Sequence, residues 1–166
     1  MNENYIVING KKAELTEEQL TALGIEKERE NPFKRTSNLC GEYFYTDAFG
    51  SVGVGSEEYS DVWKQLWNVG NYFNDKRFAY QVALHQLLYR KLLKFAYDNG
   101  CEDTAEWDGS NLHWVIRYSD NRKEVDSYYQ TGSKGNDVYF STEEGTERAI
   151  KEVVEPFVKE HPDFVW

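Results

Sequence analysis

Basic residues are scarce in this chain of 166 residues: 19 Lys and Arg stand against 29 Asp and Glu, a formal charge of −10. A surface this acidic excludes general binding to nucleic acid or to anionic membranes through a basic face. Long apolar runs are missing too. None approaches the roughly 20 residues needed to cross a bilayer, and the opening MNENYIVING has neither the basic start nor the apolar stretch of a secretion signal. Cysteine is limited to Cys40 and Cys101, with no Cys-x-x-Cys. Two free thiols in a reducing compartment are the simplest reading, so a soluble intracellular protein is expected.

Catalytic signatures are lacking in the same way. Gly50, Gly53 and Gly55 reverse the order of a dinucleotide fingerprint, and no Gly-Lys-Ser/Thr occurs. These glycines are expected to serve turn and strand-edge geometry. His85, His113 and His161 fit no metal-ligand spacing, and the calcium-loop pattern of alternating Asp with a glutamate at position 12 is absent. His85 is expected on a helix beside apolar positions, His113 in a strand opposite Trp114 in the alternation, and His161 at a helix end where a cation suits the dipole. No catalytic residue, metal or cofactor is assigned, and a non-enzymatic protein is expected.

What is present is enough to build a core: 40% apolar residues, including 5 Trp, 12 Tyr and 9 Phe, exclude a disordered tail. Tyr5 to Ile8, Asn9-Gly10 and Lys11 to Leu15 read as a hairpin, because both central residues of a tight turn need positive φ. Thr16-Glu17-Glu18-Gln19 is a capping box opening a short helix that ends near Gly24. Residues 25–38, with the charged stretch Glu26 to Glu30 and then Asn31-Pro32-Phe33, read as a linker. Glu42 to Thr46 and Ser51 to Val54 form a second hairpin around Asp47 to Gly50. Trp63 and Trp67 fit one helical turn or a loop with two anchors equally.

The clearest helix spans about Asp75 to Asn99, with Asn74 as its cap and Phe78, Val82, Tyr89, Leu92 and Ala96 on one stripe beside Leu88 and Phe95. Asn99-Gly100 ends it. Leu112 to Tyr118 and Glu124 to Gln130 read as strands joined by Ser119 to Arg122, followed by a short strand, Val138 to Phe140. Ser141 to Glu144 is a second capping box, and Pro156 either kinks the helix it opens or starts a last turn. The expected fold is α+β: a mostly antiparallel sheet with two principal helices packed on it, plus a small N-terminal hairpin and helix. The division is 1–24, the linker 25–38, and a main domain 39–166.

The acidic residues carry the functional reading. Asp98, Glu102, Asp103, Glu106 and Asp108 fall within eleven residues that hold no Lys or Arg; Glu57, Glu58 and Asp61 form a second group, and Glu143, Glu144 and Glu147 a third. Such groups serve as solubilising surface or as a surface that occupies a basic groove in the manner of DNA phosphates. The first two groups are the expected partner contacts. An alternative ligand site gathers Arg117, Arg122 and Lys123 beside Tyr118 and Tyr128, with Tyr118 and Tyr128 expected on one sheet face. The terminal Phe164-Val165-Trp166 is expected to pack back onto the domain or into a neighbouring subunit, and with the N-terminal element it favours a homo-oligomer.

Three strings, YIVINGKKAELTEEQLTALGIEKE with the following NPF, NVGNYFNDKRFAYQVALHQLLYRKLLKFAYDNG, and AIKEVVEPFVKEHPDFVW, resemble a set of small acidic proteins encoded in phages and prophages of Firmicutes and gut bacteria. That family has no assigned activity, so the resemblance transfers no functional residue. It implies a context, the host bacterial cytoplasm, where accessory phage proteins of this size act on host processes or defences. The expected function is therefore anti-CRISPR-like: binding and inhibition of a host protein such as a nucleic-acid-guided nuclease, without direct contact to nucleic acid or membrane. A protein that sequesters a small signalling nucleotide and a structural or assembly protein of the virion are the alternatives.

Overall fold

A computed structural model describes residues 5–8, 10–23, 31–35, 41–58 and 61–166. Strands β1 (Tyr5–Ile8) and β2 (Lys11–Glu14) pair antiparallel, with Gly10 at φ +76 in their turn. Helix α1 (Glu17–Ala22) opens on the expected capping box: the Thr16 N–H donates to Gln19 Oε1 at 2.9 Å and the Gln19 N–H to Thr16 Oγ1 at 3.3 Å. Gly24, the charged stretch Glu26 to Glu30 and Cys40 lie outside the described residues.

Strands β3 (Glu42–Thr46) and β4 (Val52–Ser56) form the second hairpin, its turn closed by Asp47 Oδ1, which accepts from the N–H groups of Phe49 and Ser51 at 2.8 Å each. The hairpin's glycines are seats for tyrosine rings. Gly53 lies opposite Tyr45 and Gly55 opposite Tyr43, and a Cβ on either glycine would stand 2.3 Å from the facing ring. Ring on bare backbone is a recognised way of covering strand glycine. Of the two readings for Trp63 and Trp67, the helix holds: α2 (Val62–Asn68) presents both to residues 31–35. Arg35 lies 4.2 Å over the Trp63 ring, and Trp67 Nε1 donates to the Phe33 carbonyl at 3.3 Å. The part of the expected linker that is described is thus hydrogen-bonded into the domain.

Helix α3 (Lys76–Asp98) is capped one residue later than expected. Asp75 accepts from the Phe78 N–H at 2.9 Å, whereas the Asn74 side chain donates to the carbonyls of Asn31 and Lys34. The buried stripe is also displaced: it runs through Ala79, Ala83, Leu84, Leu88, Leu92, Phe95 and Ala96, while Phe78 and Tyr89 are exposed. Small Ala79 and Ala83 admit the β3–β4 hairpin, which is bonded in both directions from Phe44 to Phe73 just before the helix. At the other end, the Gly100 N–H donates to Tyr97 and the Cys101 N–H to Ala96, with Gly100 at φ +60. This is a Schellman stop, as Asn99-Gly100 announces.

The main sheet has the order β6–β5–β7, all antiparallel, from β5 (His113–Ser119), β6 (Glu124–Gln130) and β7 (Tyr139–Phe140). Among the described residues the strands divide into three separate sheets rather than one. One face of the main sheet packs on α3 and on a continuous rod of α4 (Glu143–Ala149), a π-helical segment Ile150–Val154 and α5 (Glu155–Glu160). Thr142, not Ser141, caps the rod, accepting from the Gly145 N–H at 3.1 Å. Pro156 sits at the start of α5 behind the π segment, where its missing N–H breaks the α-helical ladder. The chain end packs back: Phe164 meets Phe157 and His85, and Gln81 donates to the Asp163 carbonyl and accepts from the Val165 N–H. The fold of the described residues is thus α+β, with two principal helical units and an N-terminal hairpin–helix.

The two glycine seats differ in what lies behind them. Tyr43 is buried and stacked on Tyr72 at 4.9 Å, so its ring has no retreat, whereas Tyr45 is half-buried. Gly55→Ala should cost about 1–3 kcal/mol in urea denaturation, and Gly53→Ala distinctly less. Equal, negligible losses would contradict the seating.

Candidate functional site

The structure separates the two expected acidic contact groups. Glu57, Glu58 and Asp61 stand near the N-terminal end of α3, beside Tyr72, and Asp98 lies at its C-terminal end, about 34 Å away along a helix of 23 residues. Glu57 is not a surface charge. Its carboxylate is buried, takes the Arg35 guanidinium at 2.7 Å and accepts from the Tyr72 hydroxyl at 2.7 Å. Glu58 is exposed, and Asp61 is exposed and ion-paired with Lys64 at 2.7 Å.

The segment from Cys101 to Leu112 is built differently. The Schellman stop turns the chain so that Cys101 to Asp103 runs beside β7. The Ser141 N–H donates to the Cys101 carbonyl, the Asp103 N–H donates to the Tyr139 carbonyl, and Glu102 stands opposite Phe140. Asp103 then reaches across to β5, where its Oδ2 lies 2.7 Å from His113 Nδ1; His113 is 0% exposed. An ionised carboxylate only accepts, so Nδ1 carries the proton. Trp107 lies flat on the imidazole at 3.6 Å and 7°, and edge-on to Tyr139. The Tyr139 hydroxyl accepts from the Gly135 N–H at 2.8 Å and is also bonded to Gln130. His113 Nε2 and Glu102 Oε2 are buried and meet no hydrogen-bond partner among the described residues.

This pairing superficially has two members of a catalytic triad. Yet a ring with no exposed surface, roofed by an indole, reaches no substrate. Its work is mechanical: it pins the loop to the sheet. Cys101 is buried beneath the same segment, against Gly145 of α4, and burial pushes its thiol pKa up, the reverse of what a nucleophile needs.

The pinned loop and the first turns of α4 both carry exposed acids. Glu106 and Asp108 are exposed on the loop, Glu143, Glu144 and Glu147 are exposed on α4, and the Arg148 guanidinium donates to Asn99 Oδ1 at 2.9 Å between α4 and the end of α3. Asp108 is held below the usual carboxylate range by the N–H and hydroxyl of Ser110 and the N–H of Asn111. Asp98 is exposed and paired with Lys94. Of the expected contacts in this segment, Asp98, Glu106 and Asp108 are exposed, Glu102 is half-buried, and the Asp103 side chain is internal.

The alternative ligand group is divided. Arg117 stands 5.4 Å over the Tyr128 ring, and the two share the open face of the sheet. Tyr118 pairs with Val125 while Tyr128 pairs with Val115, an odd offset that puts the two tyrosines on opposite faces, contrary to expectation. Tyr118 instead stacks toward Trp166 at 6.5 Å. Arg122 is bound to Asp126 and, at 3.1 Å, to Glu124, and Lys123 occupies the turn at φ +56.

Two measurements check these assignments. Arg35, through its hydrogen bond, and then Tyr72 hold the Glu57 carboxyl below its ordinary value against the opposing effect of burial. A carboxylate with a lower pKa folded than unfolded stabilises above the unfolded value and loses that contribution as pH falls through the folded one. Urea stability should thus drop on acidification below about pH 4.3, and Glu57→Gln should flatten that slope while leaving a less stable protein at pH 7. Asp103→Ala should cost about 2–3 kcal/mol, the loss of a hydrogen bond to a charged group, and should raise proteolytic cleavage within residues 104–112; an unchanged cleavage rate would contradict the pin. Comparison with protein-family models, curated proteins and solved structures finds no match to this chain.

Proposed function

We propose that this chain is a phage accessory protein that binds and inhibits a host protein, a nucleic-acid-guided defence nuclease, by seating its acidic face in the groove that receives nucleic acid. The observation that carries the reading is that the acidic segment 98–108 is anchored to β7 and backed by the buried Asp103–His113 pair, with Glu143, Glu144 and Glu147 exposed on the helix that follows β7. Fixed carboxylates compete for a basic groove better than a mobile tail, because their geometry is set before binding. The small size, the net charge of −10 and the resemblance to phage-borne proteins support the same reading.

Affinity capture from a bacterial lysate at low and moderate salt, read by mass spectrometry, tests it. One nuclease retained stoichiometrically and released by salt is expected. The combined charge reversal Glu106→Lys, Glu143→Lys, Glu144→Lys and Glu147→Lys should then weaken that association by tenfold or more, roughly the effect of removing several steering charges. Glu58→Lys, at the far end of α3, should leave it unchanged. Equal affinity for the two variants would remove the acidic face from the mechanism. A second reading rests on Arg117 over Tyr128, an arrangement suited to a small nucleotide; a thermal shift with cyclic and ADP-ribose-type nucleotides at millimolar concentration would support it.

A further inference from the structure

The edge of the main sheet suggests a partner of another kind. Strand β6 is an outer strand, with β5 on one side and no strand on the other among the described residues. Outer strands are usually guarded by charge. Here Glu124 and Asp126 are both engaged by Arg122 of the same hairpin, so the guard is largely neutralised from within. The edge also carries two adjacent large side chains on opposite faces, Tyr128 at 54% and Tyr129 at 50% exposure.

Below this edge, on the helix side, lies an open trough. One cavity of about 520 Å³ is lined by Val125, Ile150, Val154 and Val158 together with the charged Glu124, Glu155 and Lys159. It adjoins a second of about 590 Å³ lined by Tyr118, Val125, Val158, Phe164 and Trp166. Glu124, Val125 and Val158 belong to both, so the trough runs along β6 between the strand and α5.

We propose that a second copy of this chain occupies this edge, with β6 pairing antiparallel to β6 of the other copy about a two-fold axis at Ser127. The sequence Glu124-Val125-Asp126-Ser127-Tyr128-Tyr129-Gln130 is self-complementary in that register. Glu124 faces Gln130 of the second copy, Val125 faces Tyr129, and Asp126 faces Tyr128, so no like charges stand opposite each other. Val125 and Tyr129 lie on the helix side, as their pairing with Tyr118 and Trp114 requires. Each Tyr129 would therefore descend beside the other copy's Val125, into the trough of about 520 Å³. The same pairing joins the two three-stranded sheets into one of six strands and gives the unpaired edge its hydrogen-bond partners. No other register of β6 on itself meets all three conditions: neutral opposition, a filled trough and two-fold closure.

Sedimentation equilibrium of the full chain is the test. Twice the chain mass of 19.5 kDa is expected. Tyr128→Asp places a carboxylate against Asp126 and should weaken the dimer about tenfold or more, whereas Tyr128→Lys places an ammonium there and should keep it. Tyr128 is exposed on the open face, so neither variant threatens the fold. Under mild oxidation Ser127→Cys should give a covalent dimer that the parent protein does not. A monomer throughout the accessible concentration range overturns the proposal. So does a dimer indifferent to the charge at position 128 and not cross-linked through position 127.

Discussion

The bond between Asp103 and His113 is the constraint on which the acidic end of the molecule depends. A loop of 12 residues rich in Asp and Glu has little apolar material with which to hold itself against a sheet, and its own charges push it apart. One carboxylate is turned inward, onto a fully buried imidazole, and Trp107 closes over the pair at van der Waals distance. Taking that carboxylate out of solvent is costly unless it is hydrogen-bonded. The cost is offset because Asp103 gains a short hydrogen bond to His113 and the indole lies flat on the imidazole. The remaining acids, Glu106 and Asp108, are then presented from a loop that is fixed at Asp103.

The same device recurs at the other end of α3. Glu57 is turned inward onto Arg35 and Tyr72, and Tyr72 stacks on Tyr43, whose ring lies on Gly55. Arg35 in turn covers Trp63. A short hairpin, a two-turn helix and a five-residue segment, none of which is stable alone, are tied into one unit by a single buried carboxylate and the aromatic rings around it. The strand–helix junctions of the two halves also rhyme. Tyr72-Phe73 and Tyr139-Phe140 are both buried pairs that run into a cap, Asp75 in one and Thr142 in the other.

Local signals were readable where the physics is local. Thr16 and Gln19 satisfy each other across one helical turn, Asn99-Gly100 stops α3, and Glu124 to Gln130 is a strand with the bounds its alternation suggests. What escaped depends on partners distant in sequence. Nothing in the run Asp98 to Asp108 distinguishes Asp103 from its neighbours, because His113 lies on another element; a His ten residues downstream with a Trp between them is the one hint available. Glu57 is equally anonymous beside Glu58, since Arg35 and Tyr72 come from either side in the sequence. The face shared by Tyr118 and Tyr128 depended on counting across a turn, and the observed register, Tyr118 to Val125, separates them. The stripe on α3 shifted because a helix covered by two different sheets along its length buries two different sectors, which a single periodicity does not describe.

Amide hydrogen exchange measured residue by residue tests the central claim most directly. If the loop is pinned as described, the amides of Asp103 and Ser141, bonded to the Tyr139 and Cys101 carbonyls, exchange only through opening of the main sheet, at the rate of central β5 amides. If they exchange as fast as the amide of the exposed Glu106, the segment is not fixed to the sheet and its acids have no rigid backing.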